Sequence, residues 1–178
     1  RLSEASDSLG GKTEFDYDDR GNLRFVTYQP TPENPVAVHE YQYDLFGRMT
    51  SSLPPGHTLA INLGYGANGD NQTGLVTSIT RPGLEPLRFE YDRLGNVTKT
   101  ILPEGGDTQT TYDERYRVQR VAGPLVAGVR NFTDYTYDAD SNVLTASTPK
   151  GVTSYEYDRL GRVKKTTFPD LSTLENTS

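Results

Sequence analysis

Aspartate recurs in one setting along this chain. It follows tyrosine as Tyr17-Asp18, Tyr43-Asp44, Tyr91-Asp92, Tyr112-Asp113, Tyr137-Asp138 and Tyr157-Asp158. Carboxylates can act as general acids and bases or hold a divalent cation. Asp138-Ala139-Asp140-Ser141-Asn142 opens like a calcium loop, but its sixth position is Val143 where such loops need Gly, and its twelfth is Pro149 where they need Glu. A catalytic group is used once, whereas this aspartate returns at almost every unit. Its expected role is therefore turn chemistry, in which Asp accepts a hydrogen bond from the backbone two residues on. The tyrosines could stack on sugar rings, yet their placement in strands makes packing within a sheet the expectation. His39 and His57 stand in different units without a patterned acidic or serine partner, and are expected at the surface or between strands. There is no Cys, so thiolate metal sites, disulfides and a cysteine nucleophile are excluded. No nucleophile–base pair or metal set can be assembled, so no enzyme and no cofactor are expected. Four formal glycosylation sequons, at Asn71, Asn96, Asn131 and Asn176, are expected by chance in a chain this rich in Asn and Thr.

The elements that position these residues follow from a repeat. Tyr17-Asp18-Asp19-Arg20-Gly21-Asn22-Leu23 returns as Tyr43-Asp44-Leu45-Phe46-Gly47-Arg48-Met49, as Tyr91-Asp92-Arg93-Leu94-Gly95-Asn96-Val97 and as Tyr157-Asp158-Arg159-Leu160-Gly161-Arg162-Val163. Two copies replace the glycine, by Tyr116 after Tyr112-Asp113 and by Ser141 after Tyr137-Asp138. A seventh, degenerate copy starts at Tyr65 and regains register at Gly74-Leu75-Val76 after an insertion, which is the best candidate for a protruding binding loop. Successive lead tyrosines lie 26, 22, 26, 21, 25 and 20 residues apart, so long and short units alternate.

Each copy reads as a β-hairpin. Two residues before the lead tyrosines stand Phe15, Tyr41, Leu63, Phe89, Thr110, Tyr135 and Tyr155, and i, i+2 spacing puts each pair on one strand face. Two residues after the turn-glycine position stand Leu23, Met49, Val76, Val97, Val118, Val143 and Val163. Asp-x-x-Gly between them predicts a type I turn closed by a glycine bulge, and a strained or rebuilt turn at Tyr116 and Ser141. Pro30, Pro54, Pro82, Pro103, Pro124, Pro149 and Pro169 are expected to end the second strands, because proline cannot sit in mid-ladder. Thr31–Ala37, Gly105–Gln109 and Pro124–Asn131 are expected to be loops. No stretch shows a sustained 3.6-residue period, so almost no helix is expected. Seven hairpins predict about 14 strands in one continuous array over residues 1–178, running roughly 65 Å with open ends.

Composition agrees. Leu, Ile, Val and Phe make up 38 of 178 residues, while 12 Tyr and 22 Thr supply strand formers, so a thin core is expected. A net charge of −6 argues against a nucleic-acid binder, and no apolar run is long enough for a membrane span. With Arg1 first and Met49 as the sole Met, the sequence is expected to be a piece of a longer protein.

Tyr-Asp-x-x-Gly-Arg/Asn-Leu/Val followed by Pro resembles the RHS or YD repeat. Arg or Asn follows the turn-glycine position in six copies, as Asn22, Arg48, Asn96, Arg117, Asn142 and Arg162. The resemblance covers residues from about 13 to 169. It implies an all-β, spiral sheet that forms part of a hollow shell, as in bacterial polymorphic toxins and insecticidal toxin complexes, where the shell encloses a cytotoxic C-terminal domain. In animal teneurins, similar repeats form an extracellular barrel used in adhesion. The implied partners are flanking repeats and an enclosed toxin domain, and the implied location is secreted or exported. The alternative is a glycan- or receptor-binding module of a cell-surface protein. Open strand edges near Thr13–Tyr17 and Arg162–Phe168 are expected to make the isolated chain self-associate.

Overall fold

The structure, a computed structural model, describes residues 1–31, 35–66 and 74–175. Every element among them is a β-strand or a turn, and no helix occurs. Two packed units divide the chain, Arg1–Arg88 and Phe89–Ser178. The first holds β1 (Glu4–Ser6), β2 (Lys12–Tyr17), β3 (Leu23–Gln29), β4 (Ala37–Tyr43), β5 (Met49–Leu53), β6 (Ile61–Tyr65) and β7 (Val76–Thr80). β8 (Leu87–Tyr91) carries the boundary. The second unit holds β9 (Val97–Ile101), β10 (Asp107–Tyr112), β11 (Val118–Val126), β12 (Val129–Tyr137), β13 (Val143–Thr148), β14 (Gly151–Tyr157), β15 (Val163–Thr167) and β16 (Thr173–Glu175). Hydrogen-bonded order is chain order from β1 to β16, and the strands within each unit pair as antiparallel meanders.

Alternation dictates the faces. In β2, Thr13, Phe15 and Tyr17 are half-buried while Lys12, Glu14 and Asp16 are exposed. β8 repeats the pattern, with Leu87, Phe89 and Tyr91 against Arg88 and Glu90. Register carries each face across strands, with Phe15 opposite Val26 and Val26 opposite His39. Because no second layer covers the sheet, no apolar side chain among the described residues is buried, and Ser51 is the single buried polar one. The expected thin core is thus no enclosed core at all.

Among the described residues there are 16 strands rather than about 14, because two turns escaped the tyrosine-led pattern. Asp7-Ser8-Leu9-Gly10 builds an Asp-x-x-Gly turn with no lead tyrosine, Asp7 Oδ1 accepting from the Leu9 and Gly11 amides at 2.8 and 2.9 Å. Phe168-Pro169-Asp170-Leu171 closes another, with Leu171 at φ 67°. These add β1 and β16, so β2 and β15 are interior strands, and the free edges expected at Thr13–Tyr17 and Arg162–Phe168 are paired over 13–15 and 165–168.

Three other expectations change. Pro124 does not end a strand; it lies inside β11, at a register shift between Ala122 and Leu125 where the ladder needs no proline N–H. Pro124–Asn131 is no loop, because Ala127 and Gly128 (φ 49° and 81°) form a two-residue hairpin turn with Val126 opposite Val129. Asp107–Gln109 belongs to β10, leaving only the preceding residues as a turn. Thr31–Ala37 lies partly, and the insertion after Gly66 almost wholly, outside the described residues, as do Asn71 and Asn176.

Candidate functional site

The Asp-led turns share one construction. The turn residue three positions on donates its N–H to the Asp carbonyl, as Gly21 does to Asp18 at 2.8 Å, and the Asp N–H donates to the carbonyl four residues on. One carboxylate oxygen accepts two main-chain amides: Asp18 Oδ1 takes those of Arg20 and Asn22 at 3.0 and 2.8 Å, and Asp92 Oδ1 those of Leu94 and Asn96 at 2.9 Å each. The other oxygen takes the side chain of the residue after the turn. Asn22, Asn96 and Asn142 donate their amides to Asp18, Asp92 and Asp138 at 2.9, 2.8 and 2.9 Å. Arg48, Arg117 and Arg162 donate Nε to Asp44, Asp113 and Asp158 at 2.7, 2.8 and 2.7 Å.

These donors hold the carboxylates below the ordinary range. At Asp18, Asp92 and Asp138 the Asn side chain is the largest cause; at Asp113 and Asp158 it is the main-chain N–H of the Arg. At Asp44 partial burial pushes upward, and the hydrogen bonds from Arg48 and Phe46 outweigh it. Both oxygens of Asp138 are engaged within its own turn, and the described residues hold no cluster of three metal-ligating side chains.

Glycine stands at the closing position for a stated reason. Gly21, Gly47, Gly95 and Gly161 have φ of 89°, 77°, 90° and 74°, the left-handed region. Tyr116 and Ser141 adopt the same conformation at 61° and 71°, so those two turns keep the build and carry the strain. Gly74 lies at the edge of the described residues, before β7.

Each hairpin then registers on its lead tyrosine. The ladder shifts by one residue just before Tyr17, Tyr43, Tyr65, Tyr112, Tyr137 and Tyr157, which then face Leu23, Met49, Val76, Val118, Val143 and Val163. The tyrosine hydroxyl reaches the preceding copy. Tyr65, Tyr112, Tyr137 and Tyr157 donate to the carbonyls of Met49, Val97, Val118 and Val143 at 2.9, 2.8, 2.7 and 2.9 Å. Tyr17 does the same to Leu2 at 3.0 Å, under the Arg1 guanidinium. Arg1-Leu2 thus occupies the Arg-Leu/Val position of the motif, which two residues alone could not signal. Where the turn ends in Arg, that guanidinium covers the next tyrosine, Arg48 over Tyr65 and Arg117 over Tyr137, each 4.4 Å from the ring centre. Burial raises the hydroxyl pKa of Tyr43, Tyr91, Tyr112, Tyr137 and Tyr157.

Tyrosine, aspartate and Arg or Asn therefore form a clasp, which in five copies joins the hairpin to the segment before it through the tyrosine hydroxyl. The motif displayed all three residue types, but only the fold shows that Arg and Asn close the Asp turn and that the tyrosine looks backward. One further pair was missed. His39 Nε2 and Ser52 Oγ are 2.8 Å apart, and the imidazole stacks on Tyr41 at 4.3 Å. Strand pairing brings them together across β4 and β5, and 13 residues of separation gave no pattern to read. His57 lies in the turn after β5.

Consecutive antiparallel hairpins built on one recurring turn define a β-hairpin repeat protein. The chain belongs to the Teneurin YD-shell family, whose family model matches residues 12–173. Its fold matches the crystal structure of TcdB2-TccC3-Cdc42 with a TM-score of 0.67 and 16% identity, over 94% of this chain and 12% of that one. It also matches TcdB2-TccC3 without hypervariable C-terminal region, with a TM-score of 0.69 and 20% identity, over 91% and 9%. The chain thus spans about a tenth of the length of these structures. No curated protein matches it in sequence.

Proposed function

We propose that this chain is a stretch of shell wall whose task is enclosure, and that the enclosed cargo is a C-terminal toxin domain of the same protein. The observation that supports this is the use of the lead tyrosines. Five hydroxyls are committed to the carbonyl of the preceding copy, which suits a wall and leaves them unsuited to catalysis. Family membership and the likeness to TcdB2-TccC3, which carries a hypervariable C-terminal region, support the same reading. On it, the chain performs no catalysis, its neighbours are further repeats, and the protein is secreted or exported. No helix among the described residues is long and apolar enough to cross a membrane. A glycan- or receptor-facing role is the second reading, favoured by Tyr116, a tyrosine that is 60% exposed. Limited proteolysis of the full-length protein tests the first reading. The C-terminal domain should resist cleavage, and Tyr112→Phe with Tyr137→Phe should speed it. Equal cleavage of the domain in the intact protein and when expressed alone would refute enclosure. Glycan binding lost in Tyr116→Ala would establish the second role.

A further inference from the structure

The hairpin of β11 and β12 differs from the rest. Both strands run nine residues. Of the four non-glycine residues at positive φ among the described residues, three belong to this hairpin or its flanking turns: Tyr116, Ala127 and Ser141. Local strain of this kind concentrates where a structure is held for use.

The hairpin outruns its neighbours. β10 pairs with β11 as far as Gln109 opposite Ala122, and β13 pairs with β12 as far as Ser147 opposite Asp134. Beyond those points Leu125 and Arg130, then Val126 and Val129, pair only with each other. The two outer edges are treated differently. Along β11, the Arg130 guanidinium lies across the edge, with Nη1 donating to the Gly123 and Asp107 carbonyls at 2.8 and 3.0 Å and Nη2 to Asp107 Oδ1 at 2.7 Å. Along β12, residues Val129–Thr133 lie past the end of β13 pairing. Alternate residues there turn their N–H and C=O away from β11. Beside this open edge lies a hollow of about 350 Å³, lined by Val121, Phe132, Thr148, Pro149 and Lys150 among others. Lys150 is exposed and enters no ion pair among the described residues.

We propose that the open edge of β12 is a strand-addition site for an extended peptide, one that places an apolar side chain in the hollow and a carboxylate beside Lys150. An unpaired strand edge presents donors and acceptors in a spacing that another extended backbone matches, and a neighbouring hollow then selects the side chain. The positive charge of Lys150 selects the acidic neighbour. The Arg130 brace and the tight Ala127-Gly128 turn hold the edge in place before anything binds.

The test uses the 178-residue chain and a seven-residue synthetic peptide alternating Val and Thr with one Glu, plus copies N-methylated at odd or at even positions. Binding is followed by isothermal titration and by residue-resolved amide exchange. The expected result is binding abolished by one methylation set and kept by the other, since only alternate amides face β12. Lys150→Glu, at an exposed position outside every ion pair of the described residues, should weaken binding at least tenfold with an unchanged melting temperature. The Arg130 and Phe132 amides should exchange fast in the free chain and at least tenfold slower with peptide. Absence of binding at millimolar peptide, equal effects of both methylation sets, or an unchanged affinity in Lys150→Glu would overturn the proposal. So would protection that rises with protein concentration alone, which would identify the occupant as a second copy.

Discussion

At the scale of single residues, the clasp predicts which atoms matter. Tyr137→Phe removes the donor to the half-buried Val118 carbonyl and should cost about 0.5–1.5 kcal/mol in urea unfolding. Tyr28, 44% exposed and off the clasp, should lose within roughly 0.5 kcal/mol on the same change. Gly95→Val puts a β-branched side chain at φ 90° and should cost about 1–3 kcal/mol, whereas Arg93→Ala, exposed in the same turn, should stay within roughly 0.5 kcal/mol. Ser141→Gly runs the other way and should stabilise by about 0.5–1 kcal/mol, relieving a left-handed serine. The titrating groups set both pH limits. The turn carboxylates sit below the ordinary value near 4, so their contribution is full above it and is lost as pH falls through the lowered folded values. Tyr112, Tyr137 and Tyr157 sit above the ordinary value near 10, so stability falls as pH rises through their raised folded values. Melting temperature should be level between, with a shallower acid fall in Asp138→Asn.

Among elements, legibility follows the reach of the signal. Asp-x-x-Gly acts within five residues, so turn position, strand period and register were open to a local reading: Asp18 and its amides, or Tyr17 opposite Leu23, need no distant partner to form. What depends on a neighbouring strand was hidden. Pro124 reads as a terminator until pairing with β12 is seen to place it in a bulge of β11, and Asp107 reads as loop until Arg130, 23 residues on, is seen to anchor it. His39 and Ser52 meet only by pairing. The β11–β12 hairpin also yields a prediction of its own. Ala127 holds φ 49° where Asn suits a type I′ turn better, so Ala127→Asn should stabilise by a few tenths to about 1 kcal/mol. Arg130→Gln should speed amide exchange at Val126 and at the Asp107 end of β10, because it frees both the hairpin tip and the residue that Arg130 anchors.

For the whole chain, the outermost strands decide its behaviour in solution. β1 and β16 have three residues each, all exposed, and bear Glu4 and Glu175. Short, charged edge strands discourage pairing with another chain. The chain should therefore scatter light as a monomer at neutral pH, and Glu4→Val with Glu175→Val should bring concentration-dependent association. A net charge of −6 adds general repulsion.

Every clasp bond described runs from a later tyrosine to an earlier carbonyl: Tyr17 to Leu2, Tyr65 to Met49, Tyr112 to Val97, Tyr137 to Val118, Tyr157 to Val143. Emerging from the ribosome, each new hairpin would meet an acceptor already laid down, and would need nothing still to be translated. Assembly would then have a direction, like courses of masonry. A faulty copy would halt what comes after it and spare what came before.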